Sequence, residues 1–370
     1  MSFHDVAHEV GVSKSTVERW VARTHGQRLD RVDLGNRKPG RAWNRVSWLI
    51  EQRIAELRIQ LRKSVLGEYG AKAIRTALEA ELDRPPSHAA INRALARRGL
   101  QDGVRRTRRP APPKGWYLPD VMAARAELDC FDFVEDLKIA DGPLVDLLTV
   151  KSLHGSLTDA WVLQRSTEAT LPCLIARWQR DGLPRYAQFD NDNVFQGAHH
   201  HAHVVGRLSR LCLQLGVTPV FVPPLEHGMQ NAIEGFNALW QAKVWQRHRA
   251  ASVSELQALS DRYIAAHRAR TRTLAEAAPA RRPMSGHFEL KTDARLRGQL
   301  IFVRRTNDAG EVHLLGLRFA VSRTWPHRLV RCEVDFDHDC IRCFGLRRRE
   351  PTEQPLLATL PYQSPNKPLR

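Results

Sequence analysis

The sequence predicts a multidomain protein, with helical units at the N-terminus, a mixed α/β sheet in the middle and a small β-barrel at the C-terminus. Three observations support this fold class. The chain has 370 residues, more than one ordinary core needs. Its charge divides into a basic, an acidic and a basic region. The spacing of apolar residues changes from helical, to alternating strands and helices, to short alternating runs.

The charge is distributed unevenly around a net value of +17. Residues 1–115 carry 24 Lys and Arg against 12 Asp and Glu, residues 116–248 carry 11 against 15, and residues 249–370 carry 22 against 13. Basic regions suit DNA, because neutralising phosphates releases counterions. An acidic region between them would repel DNA unless cations bridge the two. The pattern favours a metal-dependent reaction on phosphate groups.

The composition argues against a membrane or secreted protein. Hydrophobic residues make up 42% and charged residues 26% of the chain. No apolar run approaches the ~20 residues of a membrane helix. The first ten residues, MSFHDVAHEV, lack the apolar core of a secretory signal. The six cysteines show no disulfide-like spacing. We therefore expect a cytoplasmic protein with no membrane partner.

Residues 1–25 are predicted to form a helix-turn-helix. Gly11 permits the tight turn, and Val17 and Trp20 would close a small core between the two helices. A generic helical hairpin is the alternative. The residues left on the outer face of the second helix, where a recognition helix meets the major groove, are Lys14, Thr16, Arg19 and Arg23.

Residues 26–45 are expected to be a linker, and residues 46–103 a second helix-turn-helix-like DNA-binding domain. Helical spacing of apolar residues predicts a first helix there, followed by two helices that a Pro-Pro pair separates; Ser87 caps the last one. Residues 104–116 form a basic, proline-rich linker, predicted to be extended and to follow a phosphate backbone. The arginines expected to contact DNA here are Arg93 and Arg97 of the domain and Arg105, Arg106, Arg108 and Arg109 of the linker.

Residues 117–284 are predicted to form the α/β domain. Three strand-like runs come first, and helices then alternate with strands, which indicates a mixed sheet with helices on its faces. Residues 295–350 are short alternating runs separated by turn signals, which suggests the small β-barrel. Residues 351–370 are expected to be a tail.

Three acidic residues lie where such a sheet could gather them. Asp129 is within the first strand, Asp190 ends the fourth strand, and Glu234 begins the helix after the fifth. Mg²⁺ and Mn²⁺ prefer oxygen ligands that converge from several elements. Two such ions about 3.5–4 Å apart can stabilise the attacking and leaving oxygens of a phosphoryl transfer. The alternative for each acid alone is a solvated surface group.

Two choices between neighbouring acids are open to test. Asp129 and Asp132 are three positions apart, so on a strand their side chains would point to opposite faces. We assign the site to Asp129. Asp190 ends a strand, whereas Asp192 lies further into the following loop, so we favour Asp190 over Asp192.

Residues 117–284 resemble the catalytic domain of DDE transposases and retroviral-type integrases, a branch of the RNase H-like superfamily. The resemblance rests on ELDCFDF, QFDNDNVF and PPLEHGMQNAIEGFN around the three acids, and on HRARTRTLAEAAP after the next helix. It implies an RNase H-like sheet and two Mg²⁺ or Mn²⁺ ions held by Asp129, Asp190 and Glu234. The chain departs from the family where Asp192 and Asn231 replace glycine, and in the 43 residues between Asp190 and Glu234, a wider gap than usual.

The expected function is that of a DNA transposase or integrase, an enzyme that cuts DNA at the ends of a mobile element and joins the 3′-hydroxyl to target DNA. Its partners would be element ends and target DNA. A homodimer or larger homo-oligomer is expected, because two ends must be brought together. The alternatives are a catalytically inactive or domesticated DNA-binding regulator, and a nuclease that cuts without joining.

Overall fold

The protein is represented by a computed structural model, which describes residues 1–24, 45–102, 113–140, 142–198, 201–223, 226, 228–284 and 286–364. The chain divides into two compact units. The first contains residues 1–57 and 70–101, and the second contains residues 58–69 and 102–370. Most of the predicted linkers 26–45 and 104–116 lies outside the described residues, and so do Arg105, Arg106, Arg108 and Arg109.

The first unit is helical. Its elements are α1 (Phe3–Val10), α2 (Lys14–Thr24), α3 (Trp48–Lys63), α4 (Ala71–Glu79) and α5 (His88–Arg97). The last turns of α3, from Arg58 onward, belong to the second unit. These elements occupy the positions where apolar spacing predicted helices.

The pair α1 and α2 has a smaller core than expected. A capping box between Ser2 and Asp5 begins α1, and Gly11, with φ +70°, ends it in the left-handed region that glycine favours. Val17 is buried, but Trp20 is 42% exposed, so its predicted burial is wrong. A short two-helix pair cannot enclose an indole on all sides.

The packing of α3, α4 and α5 follows the apolar spacing of the sequence. The Ser87 hydroxyl caps α5 by accepting a hydrogen bond from the amide of Ala90 at 3.2 Å. Buried Glu51 of α3 accepts two hydrogen bonds from the Arg97 guanidinium, at 3.1 and 3.0 Å. The buried apolar residues of the three helices are Ile54, Leu57, Ile74, Leu78, Ile91, Ala94 and Leu95.

The described residues of the second unit form eleven strands, and nine of them belong to one sheet. The first five strands are β1 (Leu128–Lys138), β2 (Leu144–Ser152), β3 (Thr158–Leu163), β4 (Tyr186–Phe189) and β5 (Thr218–Phe221). The later strands are β6 (Gln299–Arg305), β7 (Glu311–Leu314), β8 (Leu317–Ala320), β9 (Leu329–Asp335), β10 (Cys340–Gly345) and β11 (Leu356–Pro361). The order across the sheet is β11-β10-β9-β6-β5-β4-β1-β2-β3, and β7 and β8 form a separate hairpin.

Strand direction divides the sheet into a parallel centre and two antiparallel flanks. β1, β4, β5 and β6 are parallel neighbours. β1–β2 and β2–β3 are antiparallel on one side, and β6–β9, β9–β10 and β10–β11 are antiparallel on the other. The first five strands therefore form a mixed sheet, as the sequence predicted for residues 117–284.

Helices cover both faces of the sheet. They are α6 (Pro119–Met122), α7 (Thr167–Asp181), α8 (Asn193–Gln196), α9 (Arg207–Gln214), α10 (Asn231–Trp240), α11 (Val253–Arg270) and α12 (Arg272–Glu276). A π-helical turn, Gln241–Trp245, continues α10. One face packs Phe131 and Phe189 against α7, α8 and α9, and the other packs Leu128 and Cys130 against α10 and α11. No helix in the described ranges is both long and apolar enough to cross a bilayer.

The separate β-barrel expected over residues 295–350 is not confirmed. β6 pairs with β5 and so extends the central sheet. Leu300 and Phe302 belong to the core on one face, and Ile301 and Val303 to the core on the other. A strand buried on both faces lies inside a layered sheet, whereas a strand of a small barrel has one face toward solvent.

The expected tail also contains ordered structure. β11 pairs antiparallel with β10 over residues 356–361. Tyr362 follows it, is 4% exposed and contacts the rings of Phe319 and Phe336. The end of the chain therefore contributes to the main core as far as Tyr362.

We expect Tyr362→Ala to lower the free energy of unfolding by about 3–5 kcal/mol, because it removes a buried aromatic ring. Leu356→Ala, at the start of the strand that precedes Tyr362 and 54% exposed, is the matched control and should change stability by about 0.5 kcal/mol or less. Urea denaturation of both variants measures the difference. Equal, small effects would mean that this segment does not pack as described.

Candidate active site

The register between β1 and β4 brings two aspartates together. The two strands are parallel, with Asp129 paired to Ala187 and Cys130 to Gln188. Two positions beyond the Cys130–Gln188 pair, the strands reach Asp132 and Asp190. Side chains alternate between faces along a strand, so Asp132 shares the face of Cys130, and Asp190 that of Gln188. Both carboxyl groups are partly buried.

The third acid comes from α10. Glu234 lies in the first turn of this helix and is exposed. One helical turn later, buried Asn237 donates a hydrogen bond from Nδ2 to Asp132 Oδ2 at 2.8 Å. Its Oδ1 lies 2.7 Å from the Thr149 hydroxyl on β2. Asn237 therefore orients the Asp132 carboxylate and ties the helix that carries Glu234 to two strands of the sheet.

The surroundings of Asp132 and Asp190 disfavour the ionised forms of both carboxyl groups. Burial, followed by the charges of Asp190, Glu234 and Glu135, raises the pKa of Asp132 to about 7. Burial is also the main cause that raises the pKa of Asp190, and the backbone N–H of Asp192, which donates to Asp190 Oδ1 at 2.9 Å, opposes it. The described residues contain no group of three or more His, Cys, Asp or Glu already arranged around one metal position.

Asp192 has a different role from Asp190. Its Oδ1 accepts a hydrogen bond from the amide of Val194 at 2.7 Å and so caps α8. Its Oδ2 accepts one from Arg165 at 2.9 Å. Arg165 also pairs with Glu135. These contacts occupy both oxygens of Asp192, whereas Asp190 uses one oxygen for a backbone contact.

Asp129 does not lie with these carboxylates, and this corrects the choice made from the sequence. It is fully buried on the opposite face of β1 and accepts five hydrogen bonds, at 2.7 to 3.2 Å, from Arg177, Trp178 and Arg281. Burial alone would raise the pKa of Asp129, but the two arginines outweigh it and hold the pKa well below its usual range. Asp129 is thus a structural anion at the side of α7.

The segments next to Asp190 and before Glu234 are both held by β6. Arg304 donates from Nη2 to Asn191 Oδ1 at 2.7 Å and from Nη1 to the carbonyl of Phe221 at 3.2 Å. Asn191 Nδ2 in turn donates to the carbonyl of Val222 at 2.6 Å. The next residue of β6, Arg305, forms an ion pair with Glu226 at 2.5 Å. Two consecutive arginines thus fix the segments that follow β4 and β5.

A buried glutamine makes a second link to the same region. Gln188, two residues before Asp190, donates from Nε2 to the carbonyl of Met229 at 3.2 Å, and its Oε1 accepts a hydrogen bond from the Tyr117 hydroxyl. Because Met229 lies just before α10, this side chain connects β4 to the start of the helix that bears Glu234.

The residues of the first unit that are expected to contact DNA differ in the exposure and hydrogen bonding of their side chains. Lys14, Arg19 and Arg93 are exposed, and Thr16 and Arg23 are partly buried. Arg97 makes the paired hydrogen bonds with Glu51 described above. Its guanidinium is therefore committed to the fold of the helical unit, and Arg93 is the better candidate on α5.

Comparison with known proteins gives little independent guidance. No protein-family model matches the chain, and no curated protein matches it. Among solved structures, the catalytic core domain of BIV integrase is similar over 36% of this chain and 79% of that chain, with 17% sequence identity and a TM-score of 0.26. The function therefore has to be argued from the site itself.

Loss of charge should affect stability differently at Asp129 and Asp132 of β1. We expect Asp129→Asn to destabilise the fold by about 3–5 kcal/mol, because buried arginines lose their anion. Asp132→Asn should not destabilise it at neutral pH, since it relieves repulsion from Asp190 and Glu234. Urea denaturation without divalent cations compares them. Equal losses in both variants would contradict the separation of the two faces.

The pH dependence gives a second measurement on Asp132. Its folded pKa of about 7 exceeds an unfolded value of about 3.9, so the folded state binds the proton more tightly. The resulting stability is fully present below about pH 4 and is lost as the pH rises through 7. We expect Asp132→Asn to remove this loss from thermal unfolding curves recorded without divalent cations. An unchanged pH profile would be inconsistent with crowded carboxylates.

Proposed function

We propose that the protein is a DNA transposase or integrase of the DDE type, a polynucleotidyl transferase that cuts DNA at element ends and joins the 3′-hydroxyl to target DNA. The observation that supports this is the adjacent placement of Asp132 on β1 and Asp190 directly after β4. Glu234 is close enough for its charge to act on Asp132. Asp132 takes the role that the sequence analysis assigned to Asp129.

The donor set fits divalent magnesium or manganese. All three side chains offer carboxylate oxygens, the ligands such ions prefer. Burial, followed by the charges of Asp190, Glu234 and Glu135, raises the pKa of Asp132, and a bound cation would favour its ionised form. Asp132, Asp190 and Glu234 would hold two ions per site, and these would activate the attacking water or 3′-hydroxyl and neutralise charge on the phosphate.

The residues around the carboxylates would keep them in position. Asn237 holds one oxygen of Asp132, and the backbone N–H of Phe133 also donates to this carboxyl group. The amide of Asp192 does the same for Asp190. Arg304 and Asn191 hold the segment that follows Asp190. Carboxylates held this way need little reorganisation when a phosphate arrives, and such preorganisation is a main source of catalysis in phosphoryl transfer.

The basic parts of the chain would bind the DNA. Arg19, Lys14, Thr16 and Arg23 on α2, with Arg93 on α5, are proposed to contact element ends, and the arginines of the 104–116 linker to contact the phosphate backbone. The net charge of +17 favours such binding. Two ends must meet for joining, so we propose that the active form is a homodimer or a larger homo-oligomer on DNA.

We expect Asp132→Asn, Asp190→Asn and Glu234→Gln each to abolish strand cleavage and joining while DNA binding is retained, because each removes a charged ligand. Glu168→Gln, an exposed acid of α7, is the control and should behave as the unmodified protein does. The assay contains Mg²⁺, supercoiled target and duplexes made from the DNA that flanks the gene, where inverted repeats would identify the element ends.

The products separate the proposal from its alternatives. Joined products support the transposase. Nicking alone indicates a nuclease, and binding without cleavage indicates a DNA-binding regulator. Unchanged cleavage in Asp190→Asn would overturn the site assignment, whatever the products are.

We also expect Arg304→Met to reduce the cleavage rate by about 10- to 100-fold, because a displaced ligand segment loses metal affinity or activity by this amount. The Mg²⁺ concentration for half-maximal rate should rise as well, which a merely structural role would not require. Arg318→Met, on the exposed side of β8, is the control. An unchanged Mg²⁺ requirement would show that Arg304 does not position Asp190.

A further inference from the structure

A group of cations surrounds one aromatic ring in the second unit. The ring is that of Tyr69, in the segment that follows α3. The guanidinium carbon of Arg58 lies 4.4 Å from the ring centroid, that of Arg62 5.7 Å, and Lys243 Nζ 5.6 Å. We define the Tyr69 cluster as Arg58, Arg62, Lys63, Tyr69, Lys243 and Arg247.

The π-helical turn after α10 and the C-terminal end of α3 build this cluster together. Lys243 Nζ donates to the carbonyl of Gly67 at 2.8 Å, and Arg247 donates to the carbonyls of Ser64 and Lys63 at 2.7 and 2.9 Å. Gly67 has φ +54°, and a Cβ there would come within 3.3 Å of both cationic side chains. Glycine at this turn thus permits their close approach.

Capping of the C-terminal end of α3 explains only some of the cations in the Tyr69 cluster. The free carbonyls at a helix C-terminus attract cations, which explains Arg247, the donor to Lys63 and Ser64. Lys243 instead donates to Gly67, in the turn that follows the helix. Arg62 and Lys63 are exposed and donate to none of these carbonyls. Their charges add to the crowding, since burial, followed by the charges of Arg247 and Arg62, lowers the pKa of Lys243.

Acidic residues do not balance the cluster. Asp102 pairs with Arg58 at 3.0 Å, and Glu68 pairs with Arg270 outside the cluster. Within the described ranges, no ion pair joins a carboxylate to Arg62, Lys63, Lys243 or Arg247. Like charges brought together without counterions repel one another, and an external polyanion relieves that repulsion.

We propose that the Tyr69 cluster is a binding surface for the phosphate backbone of duplex DNA. Cations spread over the end of α3 and the π-helical turn suit a row of phosphates better than a single small anion. Arginine and lysine contacts of this kind position DNA without reading its sequence. The inference rests on the proposed function only in that the bound DNA would be the enzyme's substrate.

The test removes the two exposed charges that take no part in capping. We expect Arg62→Gln/Lys63→Gln to weaken binding of a short, non-specific duplex by the full-length protein about tenfold or more at about 0.1 M salt. The slope of log affinity against log salt should decrease by about two, one for each lost phosphate contact. Divalent cations are omitted, so no cleavage occurs.

Two further variants make the result specific. Arg295→Gln/Arg297→Gln removes the same charge from exposed positions elsewhere in the second unit and should leave the salt slope within about half a unit of the unmodified value. Arg62→Lys/Lys63→Arg keeps both charges and should restore binding. Equal weakening in both glutamine pairs would show that only net charge matters, and would overturn the proposal. Unchanged affinity and slope in Arg62→Gln/Lys63→Gln would do the same.

This outcome is independent of the catalytic assignment. The binding assay reports no chemistry, and the cleavage assay uses carboxylate variants that leave the Tyr69 cluster intact. A cluster that fails to bind DNA therefore leaves the proposed transferase standing. Conversely, a protein that never cleaves DNA can still show the expected change in salt dependence.

Discussion

The parallel register of β1 and β4 is the constraint on which the candidate site depends. With Asp129 opposite Ala187, the two strands reach Asp132 and Asp190 side by side and on one face. Neighbouring strands are about 4.8 Å apart, so two ionised carboxylates there repel each other unless one is protonated or a cation lies between them. A slip of one residue would turn one of the two side chains to the opposite face and abolish the pair.

Side chains alternate between the two faces of β1, so Asp129 and Asp132 on this strand have different surroundings and different roles. Its inner aspartate, Asp129, is neutralised by Arg177 and Arg281 and anchors α7 and the chain near residue 281 to the sheet. Within the described part of the chain, no ion pair joins a cation to its outer aspartate, Asp132, which neutral Asn237 holds instead. A paired buried acid supports the fold, whereas an acid left unpaired but oriented is suited to a cationic ligand. The partners, rather than the acids themselves, decide these roles.

The sequence predicted the longer helices, a mixed sheet with helices on its faces in residues 117–284, and the positions of Asp190 at the end of a strand and Glu234 at the start of a helix. It could not choose between Asp129 and Asp132, because Arg177 and Arg281 lie 48 and 152 residues from Asp129. One signal was available. Ligands gather at the carboxyl ends of parallel strands, and Asp190 lies directly after its strand, which favours Asp132 over the earlier Asp129. Likewise, the unbroken apolar run of β6 indicated a strand buried on both faces rather than a barrel.

The strands that follow the α/β core complete its site. Asn191, the residue after Asp190, obtains its partner from Arg304, 113 residues later in the chain. The same guanidinium also reaches the carbonyls at the end of β5, from which the chain leads to Glu234. Without β6, Asn191 Oδ1 would lose this donor, and so would the carbonyls of Phe221 and Val222. Unsatisfied polar groups of this kind are costly where water is excluded, so the segments would rearrange. The geometry of the second and third carboxylates therefore depends on β6 as well as on the five-stranded core.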